Sequence, residues 1–242
     1  MRNIQIIVLG VCIAVATIVS SLIFAGVYMK VTKFHNEVID VTGSAQQEIR
    51  SDLAVWTGCF DRRGADLAGP YKLLKADLAK VQAYLAAQGV DPKEMEYSQV
   101  RTQALFKKKD FVESNGIEGY RLSQSVTVRS ANVELIGKVS RESTALIDQG
   151  VEFASGQPSY FYTKLSDLKV EMLAKASENA KERADKMAAS TGSRVKMMQS
   201  ARMGVFQITP IDSTEVSGEG VNDTSTLLKK VTAVVSMTFA LE

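Results

Sequence analysis

Between Arg2 and Lys30 the chain carries no charged residue. The run from Ile4 to Met29 exceeds the ~20 residues needed to cross ~30 Å of hydrocarbon. Tyr28 stands where an interfacial aromatic belongs, and Lys30 and Lys33 can extend into the headgroups beyond it. The rival is a cleaved signal peptide, whose apolar core runs only ~7–15 residues before a small-residue site. Val19-Ser20-Ser21 could be such a site, but apolar residues continue past it to Met29. The expectation is an uncleaved single-pass anchor over residues 1–33, with the lipid bilayer as partner through residues 4–29. Charge does not orient it: Arg2 and the α-amine on one side balance Lys30 and Lys33 on the other.

The remainder, residues 36–242, reads as one soluble domain. Glu37–Ala45 and Ile49–Cys59 alternate as strands, with Leu53, Val55 and Thr57 on one face and Trp56 on the other. Pro70 fits a first helical turn. Leu73, Leu74, Leu78, Val81 and Leu85 follow at helical spacing up to Gly89. Met95–Lys108 is strand-like, Asn115-Gly116 is a hairpin signal, and Tyr120–Val128 alternates. An amphipathic helix from Asn132 would bury Val133, Ile136, Val139 and Ile147 and stop at Gly150. A strand over Val151–Tyr162 and a long helix from Leu165 to Gly192 come next. Strands over Arg194–Thr209 and Val231–Leu241 close the chain, separated by a polar loop. This order predicts an α+β fold, with helices packed on one face of a mixed sheet.

Two clusters are candidates for packing and assembly. Ala176, Ala180, Ala184 and Ala188 recur every four residues, a stripe that lets a helix lie close on its neighbour. Tyr160, Phe161 and Tyr162 are consecutive in a strand, so Tyr160 and Tyr162 share one face and Phe161 takes the other. An isolated domain buries all three only if both faces are covered. Val205, Phe206 and Ile208 raise the same difficulty.

The residues give no reaction. The formal net charge of +2 and the lack of a basic, aromatic-interleaved stripe argue against nucleic acid. Lys107, Lys108 and Lys109 read as a solvated run. His35 is the only histidine and makes neither a zinc site nor a triad. The two cysteines, Cys12 in the apolar run and Cys59 in the domain, are too separated to pair, and Cys59 reads as a small buried hydrophobe. Asp212, Glu215, Glu219 and Asp223 match no calcium loop and read as a solvated loop. No catalytic, cofactor or metal residue is assigned, no small-molecule ligand is identified, and the chain is expected not to be an enzyme.

The chain resembles the SIMPL family of bacterial envelope proteins from about Val38 onward. The carriers are Val41-Thr42-Gly43, Asp52-Leu-Ala-Val55, Gly89 before Tyr97-Ser98, and Gly119-Tyr120-Arg121-Leu-Ser with Val126 and Val128. They continue with Gly137, Gly150, the Ala176…Ala180…Ala184 helix ending at Gly192, Gly204-Val-Phe-Gln-Ile-Thr-Pro210, Asn222-Asp-Thr-Ser225 and Lys230–Val235. The resemblance implies an envelope location, an α+β fold, and a tendency to form large ring- or cage-like homo-oligomers. It implies no known reaction. Many members carry a cleavable signal peptide, and the long N-terminal helix departs from that. The expectation is a scaffold protein of the bacterial inner membrane, its domain facing the periplasm or the exterior. The alternative is a ligand-binding or stress-sensing module that regulates a membrane partner.

Overall fold

The computed structural model describes the backbone of residues 2–109 and 112–242, with side chains for 10–11, 13–29, 37–107 and 116–242. The fold is mixed α+β, and its strands form more than one sheet. The chain forms two compact units, one of residues 1–46, 169–206 and 232–242, the other of residues 47–168 and 207–231.

The second unit is built on two long antiparallel strands, β2 (Leu53–Gly64) and β5 (Val112–Ser130), in register from Ala54↔Ser130 to Gly64↔Tyr120. Strand alternation sends Ala54, Trp56 and Phe60 inward with Val126 and Val128, while Thr57 and Thr127 share a hydroxyl hydrogen bond of 3.1 Å on the opposite face. Helices α2 (Ala68–Ala87), α3 (Val133–Glu142) and α4 (Ala145–Asp148) cover the inward face. Trp56 packs on Phe153 with ring centroids 6.1 Å apart, and its indole nitrogen donates to Ser155 Oγ at 3.1 Å.

Five expectations need correction here. The stretch Met95–Lys108 is two strands, β3 (Met95–Tyr97) and β4 (Arg101–Lys109), both paired with β5. Between them Ser98 turns back on Ser125: its amide donates to the Ser125 carbonyl and its Oγ accepts the Ser125 amide, at 2.9 Å each. Asn115-Gly116 lies inside β5 and not at a hairpin turn; the β4–β5 connection falls at residues 110–111, outside the described residues. The helix from Asn132 breaks at Ser143, whose buried hydroxyl donates to the Ser140 carbonyl. The break resets the helical phase, so Leu146 is buried and Ile147 is exposed. In α2 the buried face takes Leu74, Asp77, Val81, Tyr84 and Leu85, which leaves Leu73 exposed. Val151–Tyr162 likewise divides, at Gly156–Pro158, into β6 (Phe153–Ser155) and β7 (Ser159–Phe161), both on β2.

The first unit holds helix α1 (Arg2–Asn36), most of β1 (Val38–Arg50), α5 (Leu165–Ser190) from Lys169 onward, β8 (Val195–Met203), and β10 (Leu228–Leu241) from Thr232 onward. Its strands run in the order β1-β10-β8. β9 (Gln207–Pro210) pairs with β10 and belongs to the second unit. Among the described residues no helix is long and apolar enough to cross a membrane. The side chains of Cys12, Lys30, Lys33 and His35 lie outside the described residues.

Candidate functional site

The most chemically distinctive cluster lies in the second unit, where Lys229 is buried. β9 places it. Gln207 accepts the amides of Val221 (2.9 Å) and Ser217 (3.3 Å) on Oε1 and donates Nε2 to the Ser217 carbonyl at 2.7 Å. The loop after β9 is thereby folded back, and Ile208 bridges Asn222 in parallel. Asp223 follows at the point where the chain turns towards β10. Its Oδ1 accepts the Ser225 amide (2.9 Å) and hydroxyl (2.7 Å). Its Oδ2 accepts the Thr226 amide at 3.2 Å, the Thr226 hydroxyl, and Lys229 Nζ at 3.2 Å. Lys229 Nζ also donates to the Asp223 carbonyl at 2.6 Å.

The electrostatics follow from that geometry. Burial, the largest influence on Asp223, pushes its carboxyl up, but the donors from Ser225, Thr226 and Lys229 together outweigh it and hold the group well below the ordinary carboxylate range. Burial pulls the Lys229 ammonium down, and Asp223 opposes it. This corrects the reading of Asp223 as part of a solvated loop. A lysine with a lowered pKa is the raw material of a nucleophile, but this one is occupied by a carboxylate and a carbonyl and closed off from solvent. Beside it Ile49, Tyr160, Phe161, Tyr162 and Leu165 line a cavity of about 80 Å³. That is far below the ~300–1,000 Å³ of small-molecule pockets and has room for a few waters. The arrangement is an ionic lock that fixes the loop to β10. Lys230 fastens the same loop at Ile211 and Ser213, 3.0 Å from each carbonyl.

A second lock pins α2 to β2. Arg62 donates Nε and Nη2 to the two oxygens of the buried Asp77, at 2.5 and 2.9 Å, and this pairing raises its pKa. Arg121 makes the same two-pronged contact with Asp61 at 2.7 and 2.8 Å. Tyr84 donates to the Val139 carbonyl at 3.1 Å, and burial, with a smaller push from Glu142, raises its phenol to about 12. Sequence periodicity passed over both Asp77 and Lys229. The only cue at Lys229 was the Asn222-Asp-Thr-Ser225 segment shortly before it.

The remaining sequence candidates divide between the units. Ala176, Ala180, Ala184 and Ala188 are all buried in α5. Tyr160 packs partly buried on the main core, Tyr162 is half-buried and Phe161 is exposed. Val205 is exposed, Ile208 is buried, and the Phe206 ring lies 5.5 Å beneath Lys169 Nζ. Cys59 is exposed, which corrects its reading as a buried hydrophobe: Trp56 and Phe60 take the inward positions of β2, so alternation turns Cys59 outward. Among the described residues no group of His, Cys, Asp and Glu could hold a metal ion.

Residues 39–239 match the family model of SIMPL, described as a protein of unknown function (DUF541). The chain belongs to the SIMPL family. No curated protein matches this SIMPL chain. Among solved structures it is similar to an amidase of the hydantoinase/carbamoylase family from Burkholderia phymatum, 12% identical over 55% of this chain and 35% of the amidase, with a TM-score of 0.30. It is also similar to an amidohydrolase/peptidase from Burkholderia cenocepacia, 13% identical over 55% and 34% of the two chains, TM-score 0.23. A designed protein, Foldit4, is 16% identical over 47% of this chain and 97% of its own, TM-score 0.21. The SIMPL chain spans about a third of each Burkholderia protein, and none of these likenesses carries a functional argument.

Proposed function

We propose that this SIMPL protein is a non-enzymatic, membrane-anchored scaffold of the bacterial envelope that assembles with copies of itself. Its N-terminal helix would hold it in the inner membrane, with the domain on the periplasmic or outer side. Support for the anchor is the sequence itself: Ile4 to Met29 is longer than a bilayer crossing and carries no charge.

The observation that carries self-assembly is the edge strand β8. Met197, Met203 and Met198 are 66%, 63% and 51% exposed along it, and Val205 is exposed just beyond. Methionine is a flexible, polarizable contact residue, and a run of it on a surface favours partner packing. The opposite edge of this sheet is occupied: α5 caps β1, Asn179 accepting the Ser44 amide at 3.2 Å and Arg183 donating to the Thr42 carbonyl at 2.9 Å. Register shifts in β8 and the charges of Lys196 and Arg202 oppose simple strand addition. The contact is therefore side-chain packing between methionine surfaces. Tethering in one membrane raises the local concentration, so weak contacts suffice.

Light scattering on full-length protein in detergent tests this reading. Oligomers that Met198→Glu/Met203→Glu reduces to monomers are expected. Monomeric parent protein at micromolar concentration would sink the scaffold reading and leave the sensing module in its place.

A further inference from the structure

We infer that one end of the β1-β10-β8 sheet is a lipid-facing surface: the end formed by the start of β1, the end of β10, and the turn from α5 into β8, centred on Arg194. The inference rests on the anchor reading of α1 and adds which part of the first unit meets the bilayer, with the phospholipid headgroup layer as its partner.

Chain length carries the argument. The charge-free run ends at Met29, and α1 continues to Asn36. Residues 30–36 therefore lift the chain by ~10 Å at 1.5 Å per helical residue. The headgroup region on one side of a bilayer is about 5–8 Å deep. Glu37 alone separates α1 from β1, and one residue spans at most about 3.6 Å. The first residues of β1 thus stand at the outer boundary of the headgroups.

Hydrogen bonds bring the other strands to the same level. The Leu241 amide donates to the Glu37 carbonyl at 2.8 Å. Arg194 and Glu242 exchange both backbone bonds, at 2.9 and 2.8 Å. The α5–β8 turn passes through Gly192, whose φ of +76° closes the helix, and returns Ser193 N to the Ala188 carbonyl at 3.0 Å. Arg194 is exposed, and Lys196 pairs with Glu242 at 3.4 Å on the same end. Long cationic side chains at that height reach phosphate oxygens while their stems stay on the protein. Met203, at the far end of β8, lies about 26–27 Å along the strand from Val195 at 3.3–3.4 Å per residue.

The test places a fluorophore at Ser193→Cys, or for comparison at Met203→Cys, in full-length protein with Cys12→Ala and Cys59→Ala, reconstituted into phosphatidylcholine–phosphatidylglycerol vesicles containing a headgroup spin-labelled lipid. Strong quenching at position 193 and weak quenching at 203 are expected, together with resistance of the protein to carbonate extraction. Extraction by carbonate would sink the anchor reading and this inference with it. Resistance to extraction with equal quenching at the two positions, or more at 203, would overturn the inference and leave the anchor standing. Repeating the measurement without phosphatidylglycerol separates causes: quenching at 193 that persists reflects placement by the chain, and quenching that vanishes overturns that length-based cause.

Discussion

Gly43 of β1 lies so close to Ala180 of α5 that a Cβ at position 43 would stand 2.5 Å from the Ala180 nitrogen and 2.6 Å from its Cβ. The Ala176 carbonyl crowds the same point. The Val41-Thr42-Gly43 segment and the alanine stripe, far apart in sequence, are thus two sides of one contact. Glycine and alanine are both needed because two backbones meet there.

Gly43→Ala should therefore destabilise the protein. A strand ordinarily gains from losing a glycine, but here the new methyl meets main chain, which cannot swing aside. Overpacking costs ~1–3 kcal/mol, and the upper part of that range is expected. Guanidinium unfolding of the full-length protein in detergent measures it; stability equal to or above the parent would show that α5 and β1 are not in contact.

Ala184→Leu probes the same interface further along. Ala184 is fully buried with Val41 and Phe239. A loss of about 1–3 kcal/mol is expected, seen as a lower thermal midpoint by circular dichroism. An unchanged midpoint would place that helix face in solvent.

The Asp223–Lys229 lock makes predictions with opposite pH signatures. Asp223→Asn leaves a buried ammonium without its counter-charge, and breaking such a pair costs about 3–5 kcal/mol. The folded variant sheds the Lys229 proton more readily than the unfolded chain does. Its stability should therefore rise from pH 7 towards pH 10, because the unfolded state then binds more protons. On the acid side the native Asp223 lies below its unfolded value of about 3.9. Its contribution is present above that pH and lost as pH falls below it, so the gap between parent and variant should narrow there. Urea titrations at several pH values read both limbs; a pH-independent gap would show that the pair is not coupled in the fold.

Cys59→Ala should change stability by no more than about 0.5 kcal/mol, as surface substitutions do. The exposed thiol should react with a maleimide in the native state, read by peptide mass spectrometry. Reaction only after unfolding would put Cys59 back in the core.

Where neighbours in sequence are neighbours in space, the reading and the structure agree. The outward and inward faces of β2, the span of α2 with Pro70 in its first turn, and the Gly192 stop of α5 follow from local periodicity and local sterics. The boundaries that moved did so where a tertiary partner outweighed the local pattern. Asn115-Gly116 can turn a hairpin, but the chain pairs with β4 on both sides of it, with a register shift between Phe106 and Lys108, so the pair stays inside β5. Leu73, expected on the buried face, is exposed, while Asp77 is buried because Arg62 on β2 supplies the charge that lets an aspartate be buried.

The sequence by itself determined that the chain is a SIMPL protein of α+β type, that its helices and strands alternate roughly as they do, and that an uncharged apolar run precedes the domain. These are properties of composition and of periods of two and near four residues, which the backbone imposes locally. Tertiary structure alone decided that the strands form separate sheets, that Gly43 meets the alanine stripe, that Lys229 is buried on Asp223, and that β8 is left with its methionines in solvent. Each depends on which distant segment lies alongside, and that is fixed by packing and charge pairing between residues that no sequence window contains together.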